Sequence, residues 1–543
     1  MKKLRPVSAL MLAIITVFSF SACRDNSDSV VFYMPVTEDF GSLDPQIVVS
    51  QSSRVAVCNS FEGLTRIGED GVTPEPAGAD SWEISPDGLT YTFHLRKNAE
   101  WYLTNSAQEE LSGVLPDVID TRVTAADYAF GIRRALDPYT GAVDARYLRA
   151  IKNADKIMAG RGSATELGVE ALGDYELKIT LDYADPDFLY NLSRSVAMPC
   201  NKVFFDSCEG RYGMDMSFIL CNGPYIIYSK SAEKKTLRLG KNPVYNGRFT
   251  AINDTVYMYY ITDPVSVEKN IVKGEFDFCT VSSGNLGEMA TASSLSRQMR
   301  NDVIWGYWFN EGTEMFSSLN MRIAFASLVD KTLVLPEDGD NGKIATSRIL
   351  TDAFTPYYGF EPAGIPYDEA KALEYYRKAM AENEELDSSV SVTLLTTEDM
   401  ADAAREQIQI WQRVLGLNVS VRTMTAGDAA VRFRNRNYEL CLLPMTINTS
   451  GTTDLFRLFT TGNTYNYPGY MNSNYDKLVN SITANLSDDE KITKYKECEQ
   501  TLISHAVVVP VFTEASYFVA NKSIAGLQYV SDGEIYFNNA RFS

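Results

Sequence analysis

The chain has 543 residues, 45% of them hydrophobic and 11% aromatic, and a formal net charge of −20. This composition is typical of a globular protein, and the length predicts two or three lobes because a single hydrophobic core does not grow to this size. An acidic surface repels phosphate backbones, so the charge argues against nucleic-acid binding.

The N-terminus has the pattern of a secretory leader. Three cations among the first residues precede an apolar stretch that ends at Phe20 and is too short to span a bilayer. Two small residues then directly precede Cys23, and this arrangement resembles the lipobox of bacterial lipoproteins, in which the cysteine is acylated. We therefore predict a signal peptide over residues 1–22, lipidation of Cys23 and a polar tether over residues 23–29. The folded body is then expected outside the cytoplasm, anchored to the cell membrane by lipid (on the periplasmic side if an outer membrane exists); ordinary cleavage of a soluble secreted protein is the alternative.

The first part of the folded chain predicts strands and a capped helix. In "SWEISPDGLTYTFHL" two strands flank a turn, and alternate residues from Leu89 to Leu95 fall on one apolar face. The segment "TAADYAFGIRRALDP" predicts a helix with Thr124 as its N-cap, ended by Pro138. A further strand is predicted in "YELKITLDYADPDF", where apolar and polar residues alternate.

A strand, a helix and a second strand follow one another in the C-terminal half. The run "SVSVTLLTT" at residues 389–397 is suited to a strand buried on both faces. The helix "DMADAAREQIQIWQRVLG" has an apolar stripe that includes Trp411, and Gly416 is its predicted C-cap residue. The strand "LNVSVRTM" completes a βαβ crossover, which predicts a parallel sheet covered by helices. A preceding helix is predicted to begin after Pro366.

The cysteines and histidines form no recognisable chemical motif. Seven cysteines follow Cys23 at scattered spacings that match no zinc or redox motif. Cys200 and Cys208 are close enough in sequence to form a disulfide, and buried free thiols are the alternative. With two histidines, one on a predicted strand and His505 near a helix end, a Ser-His-Asp triad or a His-rich metal centre has little to build from. We therefore expect no catalytic residue, no metal and no cofactor.

Taken together, these stretches resemble the extracellular solute-binding proteins of ABC importers, specifically the oligopeptide- and dipeptide-binding family, family 5. The most specific piece is "YTFHLRKNAEW" (91–101) followed by "VTAADYAFGIRRALDP" (123–138). The supporting pieces run in the family's order and are "GSLDPQ" (41–46), "FEGLTR" (61–66), "NGPYII" (222–227), "LRLGKNPVYN" (237–246), "KGEFDF" (273–278), "YDEAKAL" (367–373), "YDKL" (475–478) and "VVVPVF" (507–512). The series covers nearly the whole chain after the leader.

The resemblance implies an α/β fold of the periplasmic-binding-protein-like type II (cluster C), with two lobes around a two-strand hinge and an extra lobe. The implied bounds are residues 30–62, 192–300 and 508–543 for lobe I, 63–191 for lobe II (the extra lobe) and 301–507 for lobe III. The implied function is capture of oligopeptides in an inter-lobe cleft and delivery to the membrane permease by hinge closure, without enzymatic activity. The implied partners are a short peptide or similar small solute and the ABC permease and ATPase subunits, and we expect a monomer.

The resemblance also implies a set of ligand-binding residues. Ser50 and Gln51 lie in "VVSQSSR", which matches a loop whose backbone pairs with the ligand, and Tyr147 in "DARYLRA" matches a tyrosine that contacts it. The aromatic residues of "WGYWF" match a segment beside the cleft, with a buried strand as the alternative. The predicted ligand-binding residues of that segment are Trp305, Tyr307 and Trp308. The set is completed by Asn448, Asn466 and Phe512.

One departure from the family concerns the residue that anchors the ligand. Peptide-binding members have an aspartate where this chain has Asn448, and Asp454, the nearest acid, comes too late in the chain to replace it. An amide supplies no charge for a buried α-ammonium group, so it should anchor a free N-terminus less well. The ligand is therefore either a peptide, including a blocked or modified one, or a non-peptide solute such as an oligosaccharide, an opine or a nickel chelate.

Two other functions stay open at the level of sequence. A secreted hydrolase could use a pair of carboxylates, as glycosidases do. The same fold could also serve as a receptor that senses peptides without importing them. A long excursion over residues 102–123 departs from the family as well, and nothing in the sequence assigns a purpose to it.

Overall fold

A computed structural model describes residues 29–71, 73–116, 119–335, 342–350, 360–383, 391–446, 452–463, 465–483, 486–530 and 533–543. The predicted signal peptide, the lipidation site Cys23 and the ligand-binding candidate Asn448 lie outside these residues. Within the described part of the chain, no helix combines the length and the apolar character needed to cross a membrane.

The described residues form a mixed α/β structure. The helices are α1 (Gln51–Ser60), α2 (Asn105–Glu110), α3 (Ala125–Leu136), α4 (Ala154–Met158), α5 (Phe188–Asn191), α6 (Lys202–Ser207), α7 (Pro264–Lys273), α8 (Glu314–Ser317), α9 (Leu319–Ala326), α10 (Glu369–Glu382), α11 (Ala401–Leu415), α12 (Ala426–Arg434), α13 (Thr452–Arg457), α14 (Ser473–Asn480) and α15 (Asp488–Ser504). The strands are β1 (Val31–Val36), β2 (Thr65–Ile67), β3 (Pro74–Pro76), β4 (Ala79–Ile84), β5 (Thr90–Leu95), β6 (Val169–Gly173), β7 (Glu176–Thr180), β8 (Tyr225–Ser231), β9 (Thr236–Lys241), β10 (Thr255–Tyr260), β11 (Phe278–Ser282), β12 (Leu295–Phe309), β13 (Lys343–Ala345), β14 (Ser391–Thr397), β15 (Asn418–Met424), β16 (Leu440–Thr446), β17 (Val508–Asn521), β18 (Ile524–Ala525), β19 (Gln528–Tyr529), β20 (Ile535–Tyr536) and β21 (Arg541–Phe542).

Most of the described strands belong to three larger sheets. The first has the order β1-β10-β9-β8 and lies in segments that the sequence assigns to lobe I. The second has the order β4-β5-β7-β6 and lies in the segment assigned to lobe II. The third has the order β11-β17-β12-β16-β14-β15, with β13 paired to β17, and it combines strands assigned to lobes I and III. The predicted lobe boundaries themselves stay a prediction.

Two long antiparallel strands run through the third sheet. β12 and β17 pair from Leu295 opposite Asn521 to Trp308 opposite Val508. β11 pairs with the C-terminal part of β17, whereas β16 pairs with the second half of β12, so the two long strands connect the two ends of the sheet. The register shifts beside Gly306, where a Cβ atom would lie 2.8 Å from the Val508 side chain, and this close approach suits glycine.

The elements with the clearest local patterns form where the sequence predicts them. In β5, Tyr91, Phe93 and Leu95 point into the core at alternate positions. α3 begins after Thr124, whose backbone N–H donates a 2.7 Å hydrogen bond to Asp127 Oδ2 in the first turn. Both elements therefore follow from patterns that span only a few residues.

The predicted βαβ unit is also confirmed. β14 pairs in parallel with β15 and with β16. α11 buries its predicted apolar stripe, including Trp411, against this sheet's core. It ends at Gly416, whose φ of 72° is a left-handed conformation that glycine adopts without strain.

The seven cysteines of the described residues are all buried and form no disulfide. Cys200 and Cys208 are therefore buried free thiols, and the alternative of a bridge between them is wrong. Burial raises the pKa of both thiols to about 12, so they stay protonated at neutral pH and are poor nucleophiles.

The buried Glu499 on α15 makes a testable contribution to stability. Its Oε1 accepts hydrogen bonds from the backbone N–H groups of Ile349 (2.5 Å) and Leu350 (2.8 Å), while burial raises its pKa to about 7. Because the pKa is raised in the folded state, this group stabilises the fold below its ordinary pKa, and that contribution is lost as the pH rises through about 7. Glu499→Gln keeps the acceptor oxygen but cannot ionise. We expect the unfolding free energy of this variant to fall with rising pH by up to about 3 kcal/mol less than that of the native protein.

Urea unfolding at pH 5 and pH 8 measures this effect. The native protein should lose more stability over this interval than the Glu499→Gln variant. Parallel losses in the two proteins would contradict the assignment.

Candidate functional site

A cavity of about 500 Å³ lies between two parts of the chain that are far apart in sequence. We call residues 146–184 of its lining the first wall and residues 454–483 the second wall. Its volume falls within the range of about 300–1,000 Å³ that is usual for small-ligand sites. The lining residues are Arg146, Tyr147, Arg149, Asp155, Tyr183, Ala184, Asp454, Leu455, Arg457, Leu458, Thr460, Thr461, Gly462, Asn463, Tyr465, Asn480 and Thr483.

Among the predicted ligand-binding residues that the structure describes, Tyr147 lines this cavity. It lies in a short 3-10 turn (Val143–Leu148), and its ring is covered by the guanidinium groups of Arg194 at 3.9 Å and Arg146 at 4.7 Å from the ring centroid. Arg146 also donates a 2.8 Å hydrogen bond to the Tyr147 hydroxyl. These contacts hold the tyrosine in one orientation.

Charged side chains of the first wall are fixed by their own partners. Arg149 donates to both carboxylate oxygens of Asp155, at 2.7 and 3.0 Å. Arg146 lies 3.8 Å from Asp144, and Asp144 also forms a 2.5 Å ion pair with Arg54. The wall is therefore polar and organised before any ligand arrives.

Aromatic and cationic side chains connect the two walls. The Arg457 guanidinium of the second wall lies 4.3 Å from the centroid of the Tyr183 ring in the first wall. In the opposite direction, Arg146 of the first wall lies 5.4 Å from the centroid of Tyr465 in the second. Such cation–π contacts are stronger where water is excluded.

A group of carboxylates connects the second wall to the segment that directly follows the first wall. The Asn191 side chain at the end of α5 donates a 2.6 Å hydrogen bond to Asp454 on α13, and the Asp454 backbone N–H donates to Asp187 Oδ2 at 3.3 Å. Burial, together with the charge of Asp454, raises the pKa of Asp185 to about 7. Burial likewise raises the pKa values of Asp187 and Asp454.

Ser50 ends the loop that the resemblance implies, whereas Gln51 is the first residue of helix α1. Ser50 is the N-cap of α1, and its hydroxyl accepts a 3.2 Å hydrogen bond from the Ser53 backbone N–H. The Gln51 backbone N–H donates to Glu38 Oε2 at 2.6 Å. A ligand would therefore have to compete with these internal partners, and contact of either residue with a ligand stays a prediction.

The aromatic segment of β12 matches the alternative of a buried strand. Tyr307 and Trp308 have no exposed surface, and the Trp308 indole N–H donates to the Leu443 carbonyl at 3.0 Å. Trp305 stacks on Phe512 with ring centroids 5.5 Å apart. None of these four aromatic residues lines the cavity described above, because all four pack in the core around β12 and β17. Contact of any of them with a ligand stays a prediction.

Asn466 is buried beside the cavity and is used by the protein backbone. Its side chain donates to the carbonyl oxygens of Tyr470 (2.7 Å) and Thr460 (3.1 Å) and accepts from the Tyr470 N–H (3.0 Å). Its neighbour Tyr465, rather than Asn466, lines the cavity. The predicted contact of Asn466 with a ligand stays untested.

Several cavity residues were missed by reasoning from the sequence. Asp454, considered too late in the chain, lines the cavity, together with Arg146, Tyr183 and Arg457. Arg146 directly precedes the predicted Tyr147 and could have been found as its neighbour. The others lie in segments with no local pattern that distinguishes them from surface helices and turns.

Comparison with known proteins defines the class to which this fold belongs. The solved structure of Listeria monocytogenes OppA bound to peptide superposes with a TM-score of 0.72 at 21% identity, covering 95% of this chain and 100% of that one. The chain is also 24% identical over 547 residues to the dipeptide-binding protein DppE of Bacillus subtilis (97% of each) and 25% identical over 564 residues to a dipeptide-binding protein of Lactococcus lactis (97% and 98%). The fold is therefore the α/β fold of the periplasmic solute-binding proteins, as predicted.

The family itself follows from a match to a family profile. The profile of the bacterial extracellular solute-binding proteins, family 5 (middle region), matches residues 73–467. This is well over half of the chain. The chain belongs to family 5 of the bacterial extracellular solute-binding proteins, and the resemblance noted in its sequence is confirmed.

Proposed function

We propose that this protein captures oligopeptides in the cavity between the two walls and acts as the substrate-binding component of an ABC importer. The observation that carries the proposal is the cavity of about 500 Å³ itself, whose tyrosine and arginine side chains come from remote segments. A peptide offers backbone donors and acceptors and both polar and apolar side chains. Guanidinium groups, hydroxyls and aromatic rings can contact all of these, and water can fill the remaining space.

We propose that closure of a hinge tells the membrane permease that a ligand is bound. A ligand that contacts both walls stabilises the closed arrangement relative to an open one. The long strands β12 and β17 are the proposed hinge because they connect the two ends of one sheet. The membrane permease would then recognise the closed protein. In this proposal the protein is a monomer and is held at the membrane through acylated Cys23.

A thermal-shift experiment tests capture. The purified protein is incubated with pools of dipeptides, tripeptides and longer peptides, and we expect at least one pool to raise its melting temperature because ligands bind the folded state. Stabilisation by an oligosaccharide, an opine or a nickel chelate, with no effect of any peptide pool, would replace the proposed ligand with a non-peptide solute.

The same incubation distinguishes capture from hydrolysis. Mass spectrometry of the stabilising peptide should recover it intact after prolonged contact with the protein. Cleavage that is lost on replacing a cavity carboxylate would instead favour the hydrolase alternative.

A further inference from the structure

A shallow groove of about 600 Å³ lies on the sheet β1-β10-β9-β8 and shares no lining residue with the cavity between the two walls. The first described residue, Ser29, lines this groove. The next residue, Val30, is fixed there because its backbone N–H donates a 2.8 Å hydrogen bond to Oδ2 of Asp254, which also lines the groove. The groove therefore marks the place where the segment that contains Cys23 joins the folded body.

Two cationic side chains in the groove have no acidic partner. The Arg238 guanidinium lies over the rings of Tyr228 and Tyr257, at 4.2 and 5.6 Å from their centroids, and its buried Nε has no hydrogen-bond acceptor among the described residues. Neither Arg238 nor Lys241 forms an ion pair within the described part of the chain. Asp254, the acidic residue of the lining, already accepts from the chain at the groove. The positive charge of this face is therefore available to an external anion.

The hairpin that carries these cations is basic in an otherwise acidic chain. Residues 228–241, which form the end of β8, the turn and β9, include five lysines or arginines and one glutamate, whereas the whole chain has 50 basic and 70 acidic residues. Tyr228 adds an aromatic side chain that is 53% exposed at the groove. Tyrosine suits a membrane interface because its ring is apolar and its hydroxyl polar, and basic side chains attract anionic lipids.

We propose that this groove and hairpin face the membrane and contact the headgroups of anionic lipids. Cys23 precedes Ser29 by six residues, a length of chain that reaches about 20 Å at most. Acylation of Cys23 would therefore hold the groove close to the bilayer, and its cations would turn this face, rather than an acidic one, toward an anionic surface. The proposal rests on the acylation included in the proposed function, but not on peptide as the ligand.

Coupling the protein to vesicles through Cys23 tests this orientation whether or not the cell acylates that residue. The chain from Cys23 onward is joined by its N-terminal cysteine to a maleimide lipid, and the other seven cysteines are buried and should not react. Lysine acetylation is mapped by mass spectrometry on vesicles of phosphatidylcholine alone and on vesicles that also contain phosphatidylglycerol. We expect Lys241 to be acetylated about fivefold more slowly on the anionic vesicles, and the difference to shrink in high salt. Lys378, half-exposed on α10, is the control and should react equally on both.

A variant of the groove provides a second readout. Arg238→Gln keeps Lys241 as the reporter and should reduce the difference between the two kinds of vesicle, whereas Lys378→Gln, the same change of charge on α10, should preserve it. Thermal unfolding of both variants checks that they are folded.

Equal acetylation of Lys241 on the two kinds of vesicle would overturn the proposal in favour of a protein partner for the groove. A difference that persists unchanged in high salt, or in Arg238→Gln, would overturn it as well. Mass spectrometry of the N-terminal peptide from the cellular protein tests acylation separately, so failure of this proposal and failure of the proposed anchoring are distinguishable.

Discussion

Replacing Tyr147 by alanine is expected to weaken peptide binding by about thirtyfold, equivalent to about 2 kcal/mol. The ring is nearly buried in the cavity wall and is held between Arg146 and Arg194. Its removal takes away a fixed aromatic surface and also frees two guanidinium groups to move. Isothermal titration with a peptide identified by thermal shift measures the effect.

Two control variants make this result specific. Tyr139→Ala removes the same side chain at a position that is 97% exposed and should leave peptide affinity unchanged. Tyr147→Phe keeps the ring and loses only the hydrogen bond from Arg146, so it should have the smaller effect of the two Tyr147 variants. Equal affinity of Tyr147→Ala and the native protein would place the ligand elsewhere.

Trp308→Ala should lower the free energy of unfolding by about 3–5 kcal/mol. The indole is fully buried, packs against Phe433 and Phe459 with centroids 5.6 and 6.4 Å away, and bonds to a backbone carbonyl. Its loss leaves a large cavity and removes a hydrogen bond to a backbone carbonyl of the sheet that contains β12 and β17. Urea unfolding with the native protein as reference measures the change.

The matched control for Trp308 is Trp82→Ala on β4. Trp82 is only half-buried, so its removal should cost less stability. Because Trp308 belongs to the core, the folded Trp308→Ala protein should keep native affinity for peptide. A variant with native stability and no peptide binding would instead support the predicted contact of Trp308 with the ligand.

The sequence by itself determined the elements whose patterns are local. β5 and α3 follow from alternation and from a capping residue, and α11 follows from an apolar stripe that ends at Gly416. These patterns predict structure because each records which face of a short segment meets the core. The ordered series of family segments added the overall fold, since together they span most of the chain.

Only the tertiary structure decided which side chains meet at the cavity. Asp187 and Asp454 are 267 positions apart and become neighbours through the packing of whole sheets and helices, which no local pattern records. The aromatic residues of β12 show the same limit of local sequence patterns. A strand covered on both faces and a strand that lines a cleft have the same aromatic composition, so burial of Trp308 was decided by what packs against it.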